Sequence, residues 1–385
     1  MLTVTLFWST AILLVYTYAG YPLLIWLWDK LVRRAHTRSV IQPRISILVI
    51  ARNEEARIAG KLENLLALNY PHELLEIVLA SDASTDATVA LAQHYSASGV
   101  KVLAFDRHRG KPAVLNEVVP QLQGELVVLM DARQRIHPDA VQQLVNNFAD
   151  PAVGAVSGEL HLQDGAMEHG GTSGVGVYWR YEKFIRQHES RIDSTIGVSG
   201  ALYALRPELF MPIPEDTLLD DVLIPMQIVR KGYRVLFDPT AHAYEPVSAT
   251  PQQEFQRKVR TIAGNYQLFW QQPWLLDPLA NRLWLQTVSH KLSRLLSPVC
   301  LVLVLVASAI LWDQPFYGVV LLLQLMFYSA ALSGQVVPRL ASKRVWCSVP
   351  YAFCLLNWST VVGLVRFVRK QQRVTWQQAK DCTPQ

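Results

Sequence analysis

The sequence predicts an α/β protein in which a doubly wound, mostly parallel sheet is flanked by transmembrane and interfacial helices. Short apolar runs alternate with helical segments between residues 45 and 130, a pattern typical of parallel sheets. One apolar segment before this domain and three after it are long enough to cross a bilayer. Hydrophobic residues make up 51% of the 385 residues, more than in an ordinary soluble chain.

The N-terminal segment predicts a membrane anchor over residues 1–29. Leu6–Trp28 contains no charged side chain, is too long for a cleaved signal peptide and lacks a basic start. Basic residues follow at once, at Lys30, Arg33, Arg34 and Arg38. The positive-inside rule then places the N-terminus outside and the next domain, residues 38–250, in the cytoplasm.

That domain begins with four predicted strands, over residues 45–50, 74–80, 100–105 and 126–130. The helices between them are predicted to run from about residue 53 to 68, from Thr85 or Asp86 to 94, and over 111–121. Glu54, Asp82 and Asp131 each follow the end of a strand. Ligands of such sheets bind beyond the carboxyl ends of the strands, so we expect these three acidic side chains to meet at one edge.

Several other site classes are disfavoured by the sequence. The turn after the first strand reads ARNEEAR and has no glycine, which argues against a dinucleotide site, and no P-loop is present. A net charge of +5 without a basic, aromatic stripe argues against nucleic acid. The four cysteines form no CxxC, which argues against disulfides and structural zinc. Five of the histidines have no metal-ligand spacing, and we expect them to be surface or packing residues: His36, His108, His137, His242 and His290.

The C-terminal third predicts membrane association of two kinds. Residues 251–291 mix tryptophans with basic residues, which is typical of amphipathic interface helices. Residues 292–368 contain three apolar segments, over 292–312, 316–334 and 345–368, and residues 369–385 form a basic tail. Three simple spans would place this tail outside, whereas its charges favour the cytoplasm. Either the last segment is re-entrant or one span is misassigned.

Six stretches, in this order, carry a family resemblance: ISILVIARNEE, EIVLASDASTDAT, RGKPAVLNEV, GVSGALYALR, LDDVLIPMQIVRKGYRV and QRKVRT. They resemble motifs of family 2 glycosyltransferases with a GT-A fold. The resemblance is to the membrane-embedded branch that contains cellulose, chitin, hyaluronan and poly-N-acetylglucosamine synthases. It covers about Ile45–Thr261 and the flanking spans.

The resemblance implies a role for each matching residue. Asp221 would be the base that deprotonates the acceptor hydroxyl, with Asp220 beside it, and Asp131 would hold Mg²⁺ or Mn²⁺. The donor, a nucleotide-sugar and by expectation a UDP-sugar, would be bound by Glu54, Asp82, Lys111, Arg133, Arg257 and Arg260. Ser199 and Gly200 would lie on the acceptor side. Carboxylates and arginines suit this chemistry, because a metal and guanidinium groups stabilise a leaving diphosphate.

The implied function is inverting transfer of a sugar to a lipid-linked or growing glycan, in envelope or exopolysaccharide synthesis at the bacterial inner membrane. Two departures from the family pattern bear on it. The DxD motif is Asp131-Ala132-Arg133, and the Trp of Q/RxxRW is Thr261, which argues against a processive synthase. A processive polysaccharide synthase and a non-catalytic sugar-binding or regulatory membrane protein remain the alternatives. Membrane lipids are expected partners and nucleic acid is not.

Overall fold

The computed structural model describes residues 1–163, 174–246, 251–336 and 345–372. The chain divides into two compact units. The membrane unit comprises Met1–Val32, Asp164–His188 and Ala249–Gln371, and the sheet unit comprises Arg33–Gln163, Glu189–Ser248 and Gln372–Gln385.

The described part of the sheet unit contains eight strands in one mixed sheet, in the spatial order β3-β2-β1-β4-β7-β6-β8-β5. Their bounds are β1 Ile45–Ala51, β2 Leu75–Asp82, β3 Val100–Phe105, β4 Leu126–Asp131, β5 Arg135–Ile136, β6 Val153–Gln163, β7 Tyr203–Leu205 and β8 Arg234–Pro246. Strands β1 to β4 pair in parallel, β7 is antiparallel to β4 and β6, and β6 pairs in parallel with β8.

The predicted α/β class and the four predicted strands are confirmed, with β2 and β4 each extending to the acidic residue that follows the apolar run. The second half of the sheet, including β7 and its antiparallel pairing with β4 and β6, lay outside the prediction. Its strands are short or interrupted by irregular pairing, so they lack the long apolar runs that identify β1 and β4.

Helices cover the sheet and link its strands. In the sheet unit they are α3 Glu55–Leu66, α4 Thr88–Gln93, α5 Lys111–Val118, α6 Ala140–Val145 and α8 Asp220–Arg230. Helix α3 packs on the sheet because Ile58, Leu62 and Leu65 recur at helical spacing and are fully buried. The helix predicted over 111–121 is α-helical only to Val118, and its last turn, Val119–Gln121, is a 3₁₀ helix that contains Pro120.

Two non-glycine residues of this unit have left-handed backbone conformations. Asn53 and Ala83, in the loops after β1 and β2, each have φ of 53°. The Oδ1 atom of Asn53 accepts the backbone N–H of Thr85 at 2.8 Å, and the N–H of Asn53 donates to Oγ of Ser84 at 3.1 Å. The two loops are therefore joined directly.

The membrane unit is helical in its described part. Its helices are α1 Leu2–Val15, α2 Tyr21–Leu31, α7 Gly174–Ile192, α9 Pro251–Gln271, α10 Trp284–Gln286, α11 Ser293–Ile310, α12 Pro315–Val336 and α13 Val345–Val368. The last four residues of α7 belong to the sheet unit. Short π-helices, Tyr16–Gly20 and Thr287–Leu292, join α1 to α2 and α10 to α11.

Four helical stretches of the described chain are long and apolar enough to cross a membrane: Leu2–Leu31, Trp284–Ile310, Pro315–Gly334 and Trp346–Val368. They fall where the sequence predicts spans, but the second begins earlier. The sequence assigns Trp284–Lys291 to interface helices, whereas here they continue into α11 without a break. Phe7 of the first stretch packs on Tyr317 of the third, with ring centroids 4.8 Å apart.

Candidate active site

Asp82 organises the turn that begins helix α5. Its carboxylate accepts the backbone N–H groups of Arg109 at 2.9 Å and Gly110 at 2.8 Å, and it contacts Nδ1 of His108 at 2.7 Å. Gly110 has φ of 90°, a conformation that other residues rarely adopt. Lys111 follows as the first residue of α5, so the hydrogen bonds of Asp82 fix the backbone position from which the Lys111 side chain extends.

Lys111 bridges two of the predicted site carboxylates. Its Nζ atom lies 3.2 Å from Oδ1 of Asp131, the last residue of β4, and 3.0 Å from Oδ2 of Asp220, the first residue of α8. The structure thus brings together three residues that lie up to 109 positions apart in the printed chain. An ammonium group is a compact point charge with three donors, which suits bridging of this kind.

Gly200 marks the point where the site residues converge. A methyl group placed on its Cα would lie 3.8 Å from Oδ2 of Asp131, 3.9 Å from Oδ2 of Asp221 and 3.9 Å from Nζ of Lys111. A side chain at this position would therefore occupy the space that these groups face. Ser199 lies beside it in a turn held by Ser157, whose hydroxyl accepts the N–H of Ser199 at 2.9 Å.

The charges of the site stabilise one another. Burial alone would lower the pKa of Lys111, but Asp131 and Asp220 outweigh it and hold that pKa well above its usual value. Burial would raise the pKa of Asp131, but Lys111 and then Arg133 outweigh it, so the pKa is lowered. At neutral pH Lys111 is therefore cationic and Asp131 anionic.

Tyr203 is a member of the site that the sequence analysis missed. It belongs to β7, is 1% exposed, and has its pKa raised well above the usual value by burial and then by Asp220. A buried phenol that stays protonated can donate a hydrogen bond to a site anion. Its position two residues after the Gly-Ala of GVSGALYALR is the signal that could have identified it.

The segment after Asp131 is anchored from helix α3. Lys61 donates from Nζ to the carbonyl of Gln134 at 2.8 Å, and Asn64 exchanges hydrogen bonds with the backbone of Ile136. Lys61 is 2% exposed, and burial lowers its pKa to about 7. Arg133 lies in this segment and is exposed, near enough to Asp131 to lower the pKa of that carboxyl.

Glu54 lies at the predicted edge but its side chain is engaged elsewhere. It precedes α3, and its Oε2 atom accepts from Nη1 of Arg57 at 2.9 Å. Asp82 and Asp131 end parallel strands of the same sheet, and they are linked through the turn at Gly110 and through Lys111. The donor roles of Glu54 and Asp82 remain predictions.

Arg257 and Arg260 belong to helix α9 of the membrane unit. Arg257 pairs with Glu254 one turn earlier, with its Nε atom 3.1 Å from Oε2. Thr261 follows, and its hydroxyl donates to the carbonyl of Arg257 at 3.1 Å. Their contact with a donor diphosphate remains a prediction.

The oxygen of Asp131 that faces Gly200 is a group that fits a hard divalent cation. Mg²⁺ and Mn²⁺ prefer carboxylate oxygens and complete their shells with phosphate oxygens and water. The Arg133 at the position of the second DxD carboxylate cannot be a ligand. The donor set therefore fits a cation held jointly by the protein and by a bound diphosphate.

Part of the chain is similar in sequence to known glycosyltransferases. Residues 46–206 match the model of glycosyl transferase family 2. Poly-beta-1,6-N-acetyl-D-glucosamine synthase of Staphylococcus aureus is 24% identical over 229 residues, which is 58% of this chain and 55% of that protein. Beta-monoglucosyldiacylglycerol synthase of Synechocystis is 31% identical over 153 residues, 39% of this chain and 32% of that one. The chain spans about half the length of the first of these relatives.

One solved structure resembles nearly the whole chain. It is the mannosyltransferase PcManGT from Pyrobaculum calidifontis, in complex with GDP-Man and Mn²⁺. The match has a TM-score of 0.71 at 22% identity and covers 94% of this chain and 99% of that one. At this identity the likeness shows the fold, which is the GT-A fold.

Proposed function

Since residues 46–206 form a glycosyl transferase family 2 domain, we propose that the chain transfers a sugar from a nucleotide-sugar donor to a glycan or lipid-linked acceptor, with inversion at the anomeric carbon. The observation that carries the proposal is the convergence at Gly200, where Asp131, Asp221 and Lys111 face one space. The apolar helices and the similarity to a polysaccharide synthase support an acceptor made or held at a membrane.

In this proposal each residue has one task. Asp221 takes the proton from the acceptor hydroxyl, and the hydroxyl oxygen attacks the anomeric carbon as the bond to the nucleoside diphosphate breaks. Lys111 keeps Asp131 ionised and supplies positive charge near the departing diphosphate. Tyr203 stays protonated.

Asp131 is the residue that would hold a divalent cation, which would offset the charge of the leaving diphosphate when bound. The similar mannosyltransferase was solved with Mn²⁺ and a nucleotide-sugar, which supports a divalent metal in this chain. That protein was solved with GDP-Man, whereas the sequence leads us to expect a UDP-sugar. Assays with both kinds of donor identify the nucleobase that this chain accepts.

The test is donor turnover by the purified full chain in detergent, measured across UDP- and GDP-sugars. We expect one donor to be used and Asp221→Asn to abolish transfer while retaining donor binding. Near-normal turnover by a folded Asp221→Asn variant would remove Asp221 from the role of base. Asp216→Asn, a change just before α8, is the matched control.

A second candidate function is processive polymer synthesis, favoured by the similarity to poly-beta-1,6-N-acetyl-D-glucosamine synthase. Thr261 lies where polymer synthases resembling this chain carry Trp, and a small hydroxyl offers no aromatic surface for a growing chain. We expect one or a few additions per binding event. Product length against time, with acceptor in excess, distinguishes the two, because long chains beside unused acceptor would show processive synthesis.

A further inference from the structure

Three side chains on the two longest strands of the sheet unit share one face. Strands β6 and β8 run in parallel with Glu159 opposite His242 and His161 opposite Tyr244. Leu160 and Ala243, which alternate with them, pack towards the hydrophobic core. Because neighbouring residues of a strand point to opposite faces, Glu159, His161 and His242 lie together on the other face.

The three side chains are close enough to share a metal ion. One ligand atom from each lies within 4.8 Å of the other two. Nε2 of His161 is 3.4 Å from Oε1 of Glu159. Metal–ligand distances of about 2.0–2.1 Å with tetrahedral angles place ligand atoms about 3.4 Å apart, so this pair already has the spacing of two zinc ligands.

The second histidine is held in a suitable tautomer. Nε2 of His242 lies 2.9 Å from the carbonyl oxygen of Pro239. A carbonyl oxygen only accepts, so Nε2 carries the proton and Nδ1 keeps the lone pair. A hydrogen bond from the second ring nitrogen to a backbone carbonyl is how metal-binding histidines are commonly oriented.

We propose that Glu159, His161 and His242 form a binding site for Zn²⁺. Two imidazoles and one carboxylate suit zinc, whereas the carboxylates at Gly200 suit Mg²⁺ or Mn²⁺. Glu159 is buried and both histidines are half-buried, which leaves a fourth position for water. The pairing of β6 with β8 is irregular between Ser157 and Glu159, and a shared ion would join the strands just beyond that irregularity.

The plain alternative is an ion pair between Glu159 and His161, with the ring of His242 packed 4.6 Å away between centroids. Calorimetric titration of untagged, metal-free full chain with Zn²⁺ separates the two. We expect one zinc per chain and at least a tenfold loss of affinity in His161→Ala or His242→Ala. The exposed His94 provides the control, since His94→Ala should bind zinc normally. Equal affinity in all variants would overturn the site.

A measurement on the unmutated chain covers the case in which these variants do not fold. Titration with Co²⁺ in place of Zn²⁺ should give the intense visible absorption of a tetrahedral nitrogen–oxygen site, and added Zn²⁺ should remove it. Absence of that absorption would overturn the proposal. Thiolate charge-transfer bands would do so too, because they would place the metal on cysteine.

Discussion

Nζ of Lys111 lies 3.2 Å from Oδ1 of Asp131, so the carboxylate expected to hold a metal already carries a fixed cation. We expect Lys111→Met to lower turnover by about 100-fold or more, as loss of a preorganised group facing transition-state charge does. Nucleotide binding should weaken far less. Steady-state kinetics and equilibrium binding of the nucleoside diphosphate measure the two effects.

Lys101 supplies the control for that change. It also pairs with a carboxylate, that of the buried Glu76, but it is exposed and lies on strand β3. Lys101→Met should leave turnover within about threefold, because neither partner belongs to the group of residues that face Gly200. Equal losses in both variants would indicate a general effect of removing lysine and would remove Lys111 from the site.

Removal of divalent cations should abolish transfer reversibly. With one acidic residue in its DxD position, the site needs oxygens from the donor to complete a cation shell. Activity in excess EDTA should therefore fall to background and return with Mg²⁺ or Mn²⁺. Metal binding measured without nucleotide should be weak. Full activity in excess EDTA would contradict this prediction, and would indicate that Lys111 and Arg133 alone stabilise the negative charge of the leaving diphosphate.

Gly200→Ala should impair catalysis without impairing folding. The added methyl would be 3.8 Å or more from the nearest atoms, an ordinary contact, yet it would fill the space between Asp131 and Asp221. We expect at least a tenfold loss of kcat/KM with an unchanged unfolding midpoint. Gly60→Ala, in helix α3 with nothing within 4 Å, is the control and should keep full activity.

The stability of the protein should depend on pH through Lys61. Its pKa of about 7 in the folded protein lies below its ordinary value of 10.5, so the unfolded chain binds more protons between these pH values. The free energy of unfolding should therefore rise with pH from about 7 to 10.5. Lys61→Met should remove this contribution, as seen by comparing thermal unfolding of the two proteins at pH 7 and pH 9.5. The same change in unfolding temperature between the two pH values in both proteins would contradict this prediction.

The sequence predicts the first half of the sheet well, because β1, β2 and β4 contain short apolar runs, and β2 and β4 end in the acidic residues Asp82 and Asp131. It also provides candidate residues for the site, among them Lys111, Asp131 and Asp220, but not their arrangement. The bridge from Lys111 to Asp131 and Asp220 depends on pairing between distant strands and on the turn at Gly110.

The sequence alone does not identify Lys61, or the pair of His161 and His242, as residues of interest. The sequence does not single out Lys61, because a lysine in a helix is normally solvated, although its spacing from Ile58 and Leu65 places it on the buried stripe of α3. His161 and His242 lie 81 positions apart, and only the pairing of β6 with β8 brings them together.

The carboxylate–ammonium arrangement around Gly200 can also be considered as a sum of formal charges. Asp131, Asp220 and Asp221 contribute −3, and Lys111 and the nearby Arg133 contribute +2, which leaves −1 around Gly200. A monovalent cation would neutralise this sum, whereas a divalent cation would make it positive and so favour an anionic diphosphate. A preference for a divalent cation, and for a nucleotide delivered as its metal complex rather than as a free anion, therefore follows from the charge sum before any ligand geometry is considered.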